Sequence, residues 1–355
     1  MYFTSHTSPS KAGDQNEDWL AATSDVIVIL DGATIRTETG CSHGVSWYAR
    51  KLGTAILDGA GSHSRPLKVV LADAIGAVAA LHEETCDLTH PGTPSAAVGI
   101  IRFSEGSLQY LVLGDVSLVL EMSDLEVQVL SDDRVSKTGS HERKIADGFA
   151  IGTQEKYEAM LRMKHAELGA RNVPGGYFIS AADPSVAEES ITGSLPLRNV
   201  VRLAAMTDGA ARIVDLFSSR SWPRVLNTLE QDGPSALLAI VRELEEADPT
   251  GEKYPRNKKS DDASVVFVDP HRVPTRWNGA RPGRPVNFEV DWDSARVKSS
   301  REETLAEYRR LMQSGLMGED PDAWKRHNPE LAEQARRKKV EAARELVAEA
   351  DTPSR

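Results

Sequence analysis

Asp25-Val26-Ile27-Val28-Ile29-Leu30-Asp31-Gly32 is the stretch that decides how this chain folds. Residues Asp25–Leu30 are a nearly continuous β-branched run, and it stops abruptly at Asp31-Gly32. A strand covered on one face alternates apolar and polar side chains, so a run without alternation reads as a strand buried on both faces.

The surroundings supply the covering elements. Val45–Leu57 places Val45, Ala49, Leu52 and Ile56 at helical spacing, and Leu67–Leu81 does the same with Val70, Ala74, Val78 and Leu81. Ala96–Phe103 and Leu108–Leu113 flank the polar turn Ser104-Glu105-Gly106-Ser107, a hairpin signal, and Gly114-Asp115 follows. Val116–Glu121 and Leu125–Leu130 read as the next pair of strands. Ser131 to Asn172 is polar and charged, with a helix around Gln154–Gly169, and reads as an inserted, mobile surface segment. Strand signals return at Gly176–Ala182 and Val200–Met206. A helix follows at Ser235–Glu246, then a polar loop from Asp248 to Lys259, and a last apolar strand at Ala263–Val268. Helices set into a mostly antiparallel β protein, without βαβ alternation, place the chain in the α+β class.

After Pro270 the composition changes. Three parts are expected: a folded domain over 1–270, a Pro/Arg/Gly-rich linker over 271–298 that could carry a strand, and a helical extension over 299–355. The extension opens with a Ser300/Glu303 capping box, and its second helix opens with Asn328-Pro329. It offers a surface for a protein partner or packs on itself.

With 355 residues, 40% apolar and 27% charged, the chain can bury a sizeable core. A net charge of −11 argues against a nucleic-acid partner, which needs a basic face. Met1 to Asn16 has no apolar signal-peptide core, and no apolar run approaches the ~18 residues of a membrane span. The expectation is a cytoplasmic protein with no membrane partner. Cys41 and Cys86 cannot make a disulfide framework, and no C-x-x-C pair suggests zinc. They read as reduced thiols, although the two could pair with each other.

Four acids share one setting. Asp18 follows Asn16-Glu17, Asp31 ends an apolar strand, Asp208 ends another, and Asp261 begins a third. Packed sheets can bring such strand ends together. Converging carboxylates repel, and no Lys or Arg stands beside Asp18, Asp31 or Asp208 in sequence. A divalent cation is the alternative counter-charge, and oxygen-only ligands suit Mg²⁺, Mn²⁺ or Ca²⁺. Gly32 and Gly209 would let the backbone turn sharply and approach an ion. Asp-Gly is also a common turn pair, and Asp58-Gly59, Asp147-Gly148 and Asp232-Gly233 read simply as turns.

Asn16-Glu17-Asp18, Val28-Ile29-Leu30-Asp31-Gly32, Gly92-Thr93-Pro94-Ser95-Ala96, Leu113-Gly114-Asp115-Val116-Ser117, Met206-Thr207-Asp208-Gly209 and Asp261-Asp262-Ala263-Ser264 occur in that order. They resemble the signature motifs of the PPM (type 2C) metal-dependent serine/threonine protein phosphatases, in particular the bacterial branch. The resemblance implies an α-β-β-α sandwich, two antiparallel sheets flanked by helix pairs. It implies two Mn²⁺ or Mg²⁺ ions held by Asp18, Asp31, Asp208, Asp261 and the Gly32 carbonyl, with Glu17 holding metal-bound water. Asp115 and Asp208 would take a third, looser ion, and Ser131 to Asn172 would form a flap beside the site. The implied reaction is hydrolysis of a phosphomonoester, with phosphoserine or phosphothreonine in proteins as substrate. Water held between the ions would attack phosphorus in line, without a covalent intermediate.

The chain departs from the family pattern in places. Where the family carries a phosphate-gripping Arg, the equivalent position falls near Gly13, and the closest basic residue is Lys11. Arg36, just beyond the Asp31 strand, could also reach the phosphate. Ala33 stands where some members carry a His, for which His43 is a candidate substitute, and Asp262 replaces an Asn. Lys258-Lys259 could offset nearby acid charge. These departures leave two alternatives: a phosphatase for a small phosphorylated metabolite, or a catalytically weak pseudophosphatase acting as a regulatory binding module. A haloacid-dehalogenase reading of Asp31-Gly32-Ala33-Thr34 fails because Ile29 stands at the nucleophile position. No Gly-rich phosphate loop supports a kinase or nucleotide-binding reading.

Overall fold

A computed structural model describes residues 2–272. The expected linker, from residue 273 on, and the helical extension lie outside the described residues. Ten strands form two antiparallel sheets of five. The first sheet has the order β1 (Tyr2–Ser8), β10 (Ala263–Asp269), β9 (Val200–Met206), β6 (Ser117–Met122), β7 (Val127–Leu130). The second runs β2 (Trp19–Ala22), β3 (Val26–Gly32), β4 (Ala96–Ser104), β5 (Ser107–Leu113), β8 (Ile191–Pro196).

The β3 run is apolar on both faces because it has a neighbour on both. Ile27 and Ile29 point between the sheets, where they join Leu118, Leu120, Leu203 and Val266. Val26, Val28 and Leu30 point the other way, onto Tyr48, Leu52 and Ile56 of α1 (Val45–Ala60) and Leu71 and Ile75 of α2 (Leu67–Ala80). Successive strand side chains face opposite sides, so two packed surfaces demand two apolar sets. The outer face of the first sheet is covered in the same way. Ala204, Met206, Val265 and Phe267 pack on α6 (Asp208–Asp215), α7 (Trp222–Gln231) and α8 (Pro234–Ala247). The layers are therefore α-β-β-α, as the resemblance implied.

Ser131 to Asn172 carries three helices, α3 (Arg134–Lys137), α4 (Ser140–Asp147) and α5 (Gln154–Gly169). Charges pin it instead of a broad apolar face. The buried Lys156 ammonium donates to the Ala146 carbonyl at 2.8 Å, and Arg143 and Lys164 both pair with Glu167, at 2.6 and 2.7 Å.

Some readings are corrected. Gly176–Ala182 is not a strand: it makes only two isolated bridges, Ser180 to Ala96 at the start of β4 and Tyr177 to Arg171. Asp58-Gly59 is no turn, since it lies inside α1. The edge strands β1 and β8 gave no apolar signal because they alternate or face solvent, and backbone pairing to β10 and β5 holds them.

Gly53 of α1 seats the helix against the Trp19 indole, and a Cβ there would come within 2.2 Å of Cε3. Gly53→Ala should cost about 1–3 kcal/mol through overpacking. Gly169→Ala, where a Cβ meets nothing within 4 Å, should be neutral or slightly stabilising. Thermal unfolding of the two variants should move in different directions; equal shifts would show that α1 does not dock on Trp19.

Candidate active site

The acids converge because of strand register. Asp18 immediately precedes β2 and Asp31 lies near the end of β3, and these strands are antiparallel neighbours with Trp19 opposite Leu30. Thr207-Asp208 follows β9 and Asp261-Asp262 precedes β10, again antiparallel neighbours, with Met206 opposite Val265. Both pairs of ends emerge at the same edge of the sandwich. Asp115 joins them from the connection that carries the chain from β5 in one sheet to β6 in the other.

Asp31, Gly32, Asp115, Asp208 and Asp261 line one cavity of about 750 Å³. Asp18 sits beneath its floor, 9% exposed. The Thr207 hydroxyl donates to Asp18 Oδ2 at 2.8 Å, while Asp18 Oδ1 is buried with no hydrogen-bond partner. The Asp208 amide, at the start of α6, donates to Asp31 Oδ2 at 2.9 Å. The positive end of a helix thus faces the acids.

This convergence is electrostatically costly. Burial, and after it the hydroxyl bonds working in opposition, leaves the Asp18 carboxyl well above the usual carboxylate range. Burial and the charges of Asp208, Asp18 and Asp115 do the same to Asp31. Asp115 is pushed up to about 7 by burial and by Asp208. Asp208 is raised by burial and by Asp261. Asp208 is itself exposed to the cavity.

Two cations answer part of this charge: Lys258, as the sequence reading allowed, and Arg212, which that reading did not place at the site. Arg212 reaches Asp261 Oδ2 at 2.9 Å and the fully buried Glu245 at 2.8 Å. Lys258 pairs with Asp261 Oδ1 and donates to the Thr34 hydroxyl at 3.2 Å. Burial opposes both charges, but the surrounding carboxylates hold both groups above their ordinary ranges. Asp261 is therefore the expected ligand whose two oxygens already have cationic partners. Arg212 lies four residues after Asp208, one helical turn along, and was missed because Asp208-Gly209 reads as the lip of a strand and not as the start of α6.

Asp262, which stands where the family carries an Asn, is a structural clamp: it accepts from the Ser10 and Glu17 amides, each at 2.6 Å. Glu17 accepts from Thr34 at 2.5 Å, and burial raises its carboxyl while Thr34 pulls it back. Gly32 and Gly209 are required by close packing. A Cβ on Gly32 would come 2.4 Å from the Glu17 carbonyl, and one on Gly209 would come 1.9 Å from that of Asp262. Neither makes the sharp turn expected of it: Gly32 continues β3 and Gly209 lies in α6.

Of the expected phosphate-binding residues, Arg36 lines the cavity and Lys11 does not. Among the described residues that line it, Arg36 is the one cation without an ion-pair or side-chain hydrogen-bond partner; Arg143, Lys164, Arg212, Arg256 and Lys258 are all engaged. His43 lies outside the cavity lining.

The donor set fits divalent cations. It is all oxygen, it carries excess negative charge, and it includes a buried carboxylate oxygen without a partner. In the folded, metal-free chain Asp115 keeps its proton to about 7, whereas its ordinary value is 3.8. Between those values the native state binds more protons than the unfolded state, so stability falls as pH rises and the loss is complete above about 7. Asp18, Asp31 and Asp208 act in the same sense. In EDTA the melting temperature should drop between pH 5.5 and 8, and Mn²⁺ should raise it more at pH 8. An equal Mn²⁺ gain at both pH values would contradict this account.

No curated protein matches the chain. Solved structures resemble it at low identity. The catalytic domain of the serine/threonine protein phosphatase PstP, solved with two manganese ions, is 15% identical over 76% of this chain and 97% of that one, with a TM-score of 0.44. The phosphatase MsPP of Mycobacterium smegmatis, in complex with cacodylate, is 14% identical over 76% and 98%, with a TM-score of 0.45. Stp1 of Staphylococcus aureus is 12% identical over 75% and 94%, with a TM-score of 0.47. The family model of protein phosphatase 2C matches residues 6–242, the stretch from β1 into α8 that holds Asp18, Asp31, Asp115 and Asp208. By that match over most of its length, the chain belongs to the protein phosphatase 2C family.

Proposed function

We propose that this protein hydrolyses phosphoserine and phosphothreonine in proteins, using two divalent cations, Mn²⁺ or Mg²⁺. The observation that carries the proposal is the converging set of carboxylates around the cavity, with the buried, partnerless Asp18 Oδ1 beneath it, set at the motif positions of a phosphatase family. Asp18, Asp31, Asp208 and the Gly32 carbonyl are the proposed ligands, with Asp261 joining them as Lys258 and Arg212 yield an oxygen. Glu17 would hold a coordinated water, and Asp115 with Asp208 a third ion. Bound there, the ions supply an activated water and the positive charge that a transferring phosphoryl group requires.

The rest falls to the chain itself. Arg36, on the loop after β3, lines the cavity, and its planar guanidinium would grip the phosphate, a role the missing upstream Arg leaves open. Thr34 fixes the Glu17 carboxylate and takes a bond from Lys258, which ties the water-holding acid to the nearest ammonium. Ser131, Arg143 and Lys164 form the opposite wall from the flap, and a cavity of about 750 Å³ leaves room for a phosphorylated side chain and its flanking backbone. A bacterial, cytoplasmic setting is part of the proposal. The free thiols of Cys41 and Cys86 support a reducing compartment, and no helix among the described residues is long and apolar enough to cross a membrane.

Hydrolysis of an aryl phosphate and of a phosphothreonine peptide should require Mn²⁺ or Mg²⁺ and stop in EDTA. Asp208→Asn should lower kcat by about 100-fold or more. A chain that binds Mn²⁺ yet turns over neither substrate would defeat the proposal. Arg36→Ala should raise KM for the phosphopeptide about 10-fold, roughly the loss of one charged hydrogen bond, with a smaller effect on kcat. An unchanged KM would remove Arg36 from the phosphate site.

A further inference from the structure

Outside the active site, four side chains with metal-binding atoms meet in one place. Cys41, His43, His82 and Cys86 come from two segments, the loop between β3 and α1 and the turn that follows α2, and their ligand atoms all lie within 4.8 Å of one another. Cys41 Sγ is 3.4 Å from Cys86 Sγ and 3.4 Å from His82 Nδ1. His43 Nδ1 is 3.6 Å from Cys41 Sγ and 3.4 Å from Cys86 Sγ. A tetrahedral zinc ion with Zn–S of about 2.3 Å and Zn–N of about 2.0–2.1 Å has ligand-to-ligand edges of roughly 3.3–3.8 Å. Four of that tetrahedron's six edges are already within about 0.4 Å of those lengths, and small side-chain rotations would bring in the rest. The sulfurs are not bonded to each other: a disulfide has about 2.05 Å between them.

The local structure explains how the spacing arises. Cys41 and His43 are two residues apart in an extended loop, while His82 and Cys86 are four apart in a helical turn, where the Cys86 amide donates to the His82 carbonyl at 2.9 Å. Residues four apart on such a turn share a face. The Asp87 amide donates to the Gly40 carbonyl at 2.9 Å and so fixes the two segments against each other. The His43 amide donates to Cys41 Sγ at 3.4 Å, the kind of outer bond that supports a thiolate ligand. Cys41 and His82 are buried, and the Trp47 ring covers both imidazoles, with centroids 4.3 Å from His43 and 5.0 Å from His82. Searching for C-x-x-C misses this site because it is built from Cys-x-His and His-x-x-x-Cys, about 40 residues apart.

We propose that Cys41, His43, His82 and Cys86 form a structural zinc site that clamps the β3–α1 loop to the turn after α2. Two thiolates and two imidazoles in a tetrahedron select Zn²⁺, whereas the all-oxygen active site selects Mn²⁺ or Mg²⁺. The two centres therefore sort different metals on one chain. On binding, each thiol releases its proton to solvent and each imidazole coordinates through neutral Nδ1. The set is closed, with four protein ligands and no open position, which makes its role structural. The loop it clamps also carries Thr34 and Arg36, so the zinc site holds one wall of the active-site cavity in place.

The test uses the full chain, reduced, loaded with Zn²⁺ and desalted, with metal content read by mass spectrometry. One equivalent of zinc per chain is expected. It should persist in Asp208→Asn and be lost in the Cys41→Ser/Cys86→Ser double variant. Because that double variant could misfold, the wild-type chain is also loaded with Co²⁺ alone. The expected spectrum has thiolate-to-cobalt charge transfer and the intense visible bands of tetrahedral cobalt. Zinc that does not survive desalting, a purely octahedral cobalt spectrum, or a native Cys41–Cys86 disulfide in the unreduced mass would each overturn the proposal. None of these readouts depends on phosphatase turnover, so the zinc site and the proposed activity can fail separately.

Discussion

Mutual repulsion of converging carboxylates is the constraint around which this molecule is arranged. Asp31 comes from the end of β3 and Asp18, Asp115, Asp208 and Asp261 from four different connections, and each would be easier to solvate apart. What forces them together is the pairing of β2 with β3 and of β9 with β10, whose ends open at one edge of the sandwich. The apolar layers on either side of these strands supply the favourable energy that the acid cluster opposes. The cost is then reduced locally. The Asp208 amide at the head of α6 bonds Asp31, Thr207 bonds Asp18, and Arg212 and Lys258 take Asp261. Compensation is incomplete, and the residual negative charge is what gives a divalent cation its affinity for the place.

Arg212 connects this site to the core. Its guanidinium spans Asp261 at the cavity and Glu245 in the interior of α8, and Glu245 is also held by Arg242 at 2.8 Å. Arg242 in turn donates to the Ser8 carbonyl at 3.1 Å, at the end of β1. A continuous set of charged bonds therefore runs from the cavity through α6 and α8 to the edge strand. Such a network is a poor source of net stability, because each ion is desolvated, but it fixes geometry. The position of Asp261 depends on it. On the other side of the cavity, the loop carrying Thr34 and Arg36 is anchored by the Cys41–Cys86 cluster and by the Asp87–Gly40 backbone bond.

The parts of the fold legible in sequence are those whose signal is local. Ile27 and Ile29 facing one layer, and Val28 and Leu30 the other, leave an apolar run that needs no alignment to interpret. Helices α1, α2 and α8 follow from apolar spacing. The edge strands β1 and β8 were not legible, because backbone pairing to a central strand holds them and their side chains need not be apolar. Helix α6 was hidden by the Asp-Gly pair at its start. The same Asp-Gly spelling continues a strand at Gly32, opens a helix at Gly209 and lies inside a helix at Asp58-Gly59. A dipeptide does not carry that distinction; packing decides it.

Sequence by itself determined the class of the fold and which acids lie at strand ends, because hydrophobic periodicity and the order of short motifs are written along the chain. Only the tertiary structure decided which charges meet. Arg212 and Lys258 against Asp261, Asp262 against the Glu17 amide, Arg36 as the free cation of the cavity, and two Cys-His pairs about 40 residues apart closing on one point are all contacts between distant segments. Electrostatic and ligand interactions act through a few ångströms of space, and sequence separation does not measure that distance. The sheet register does, and it exists only once the strands have paired.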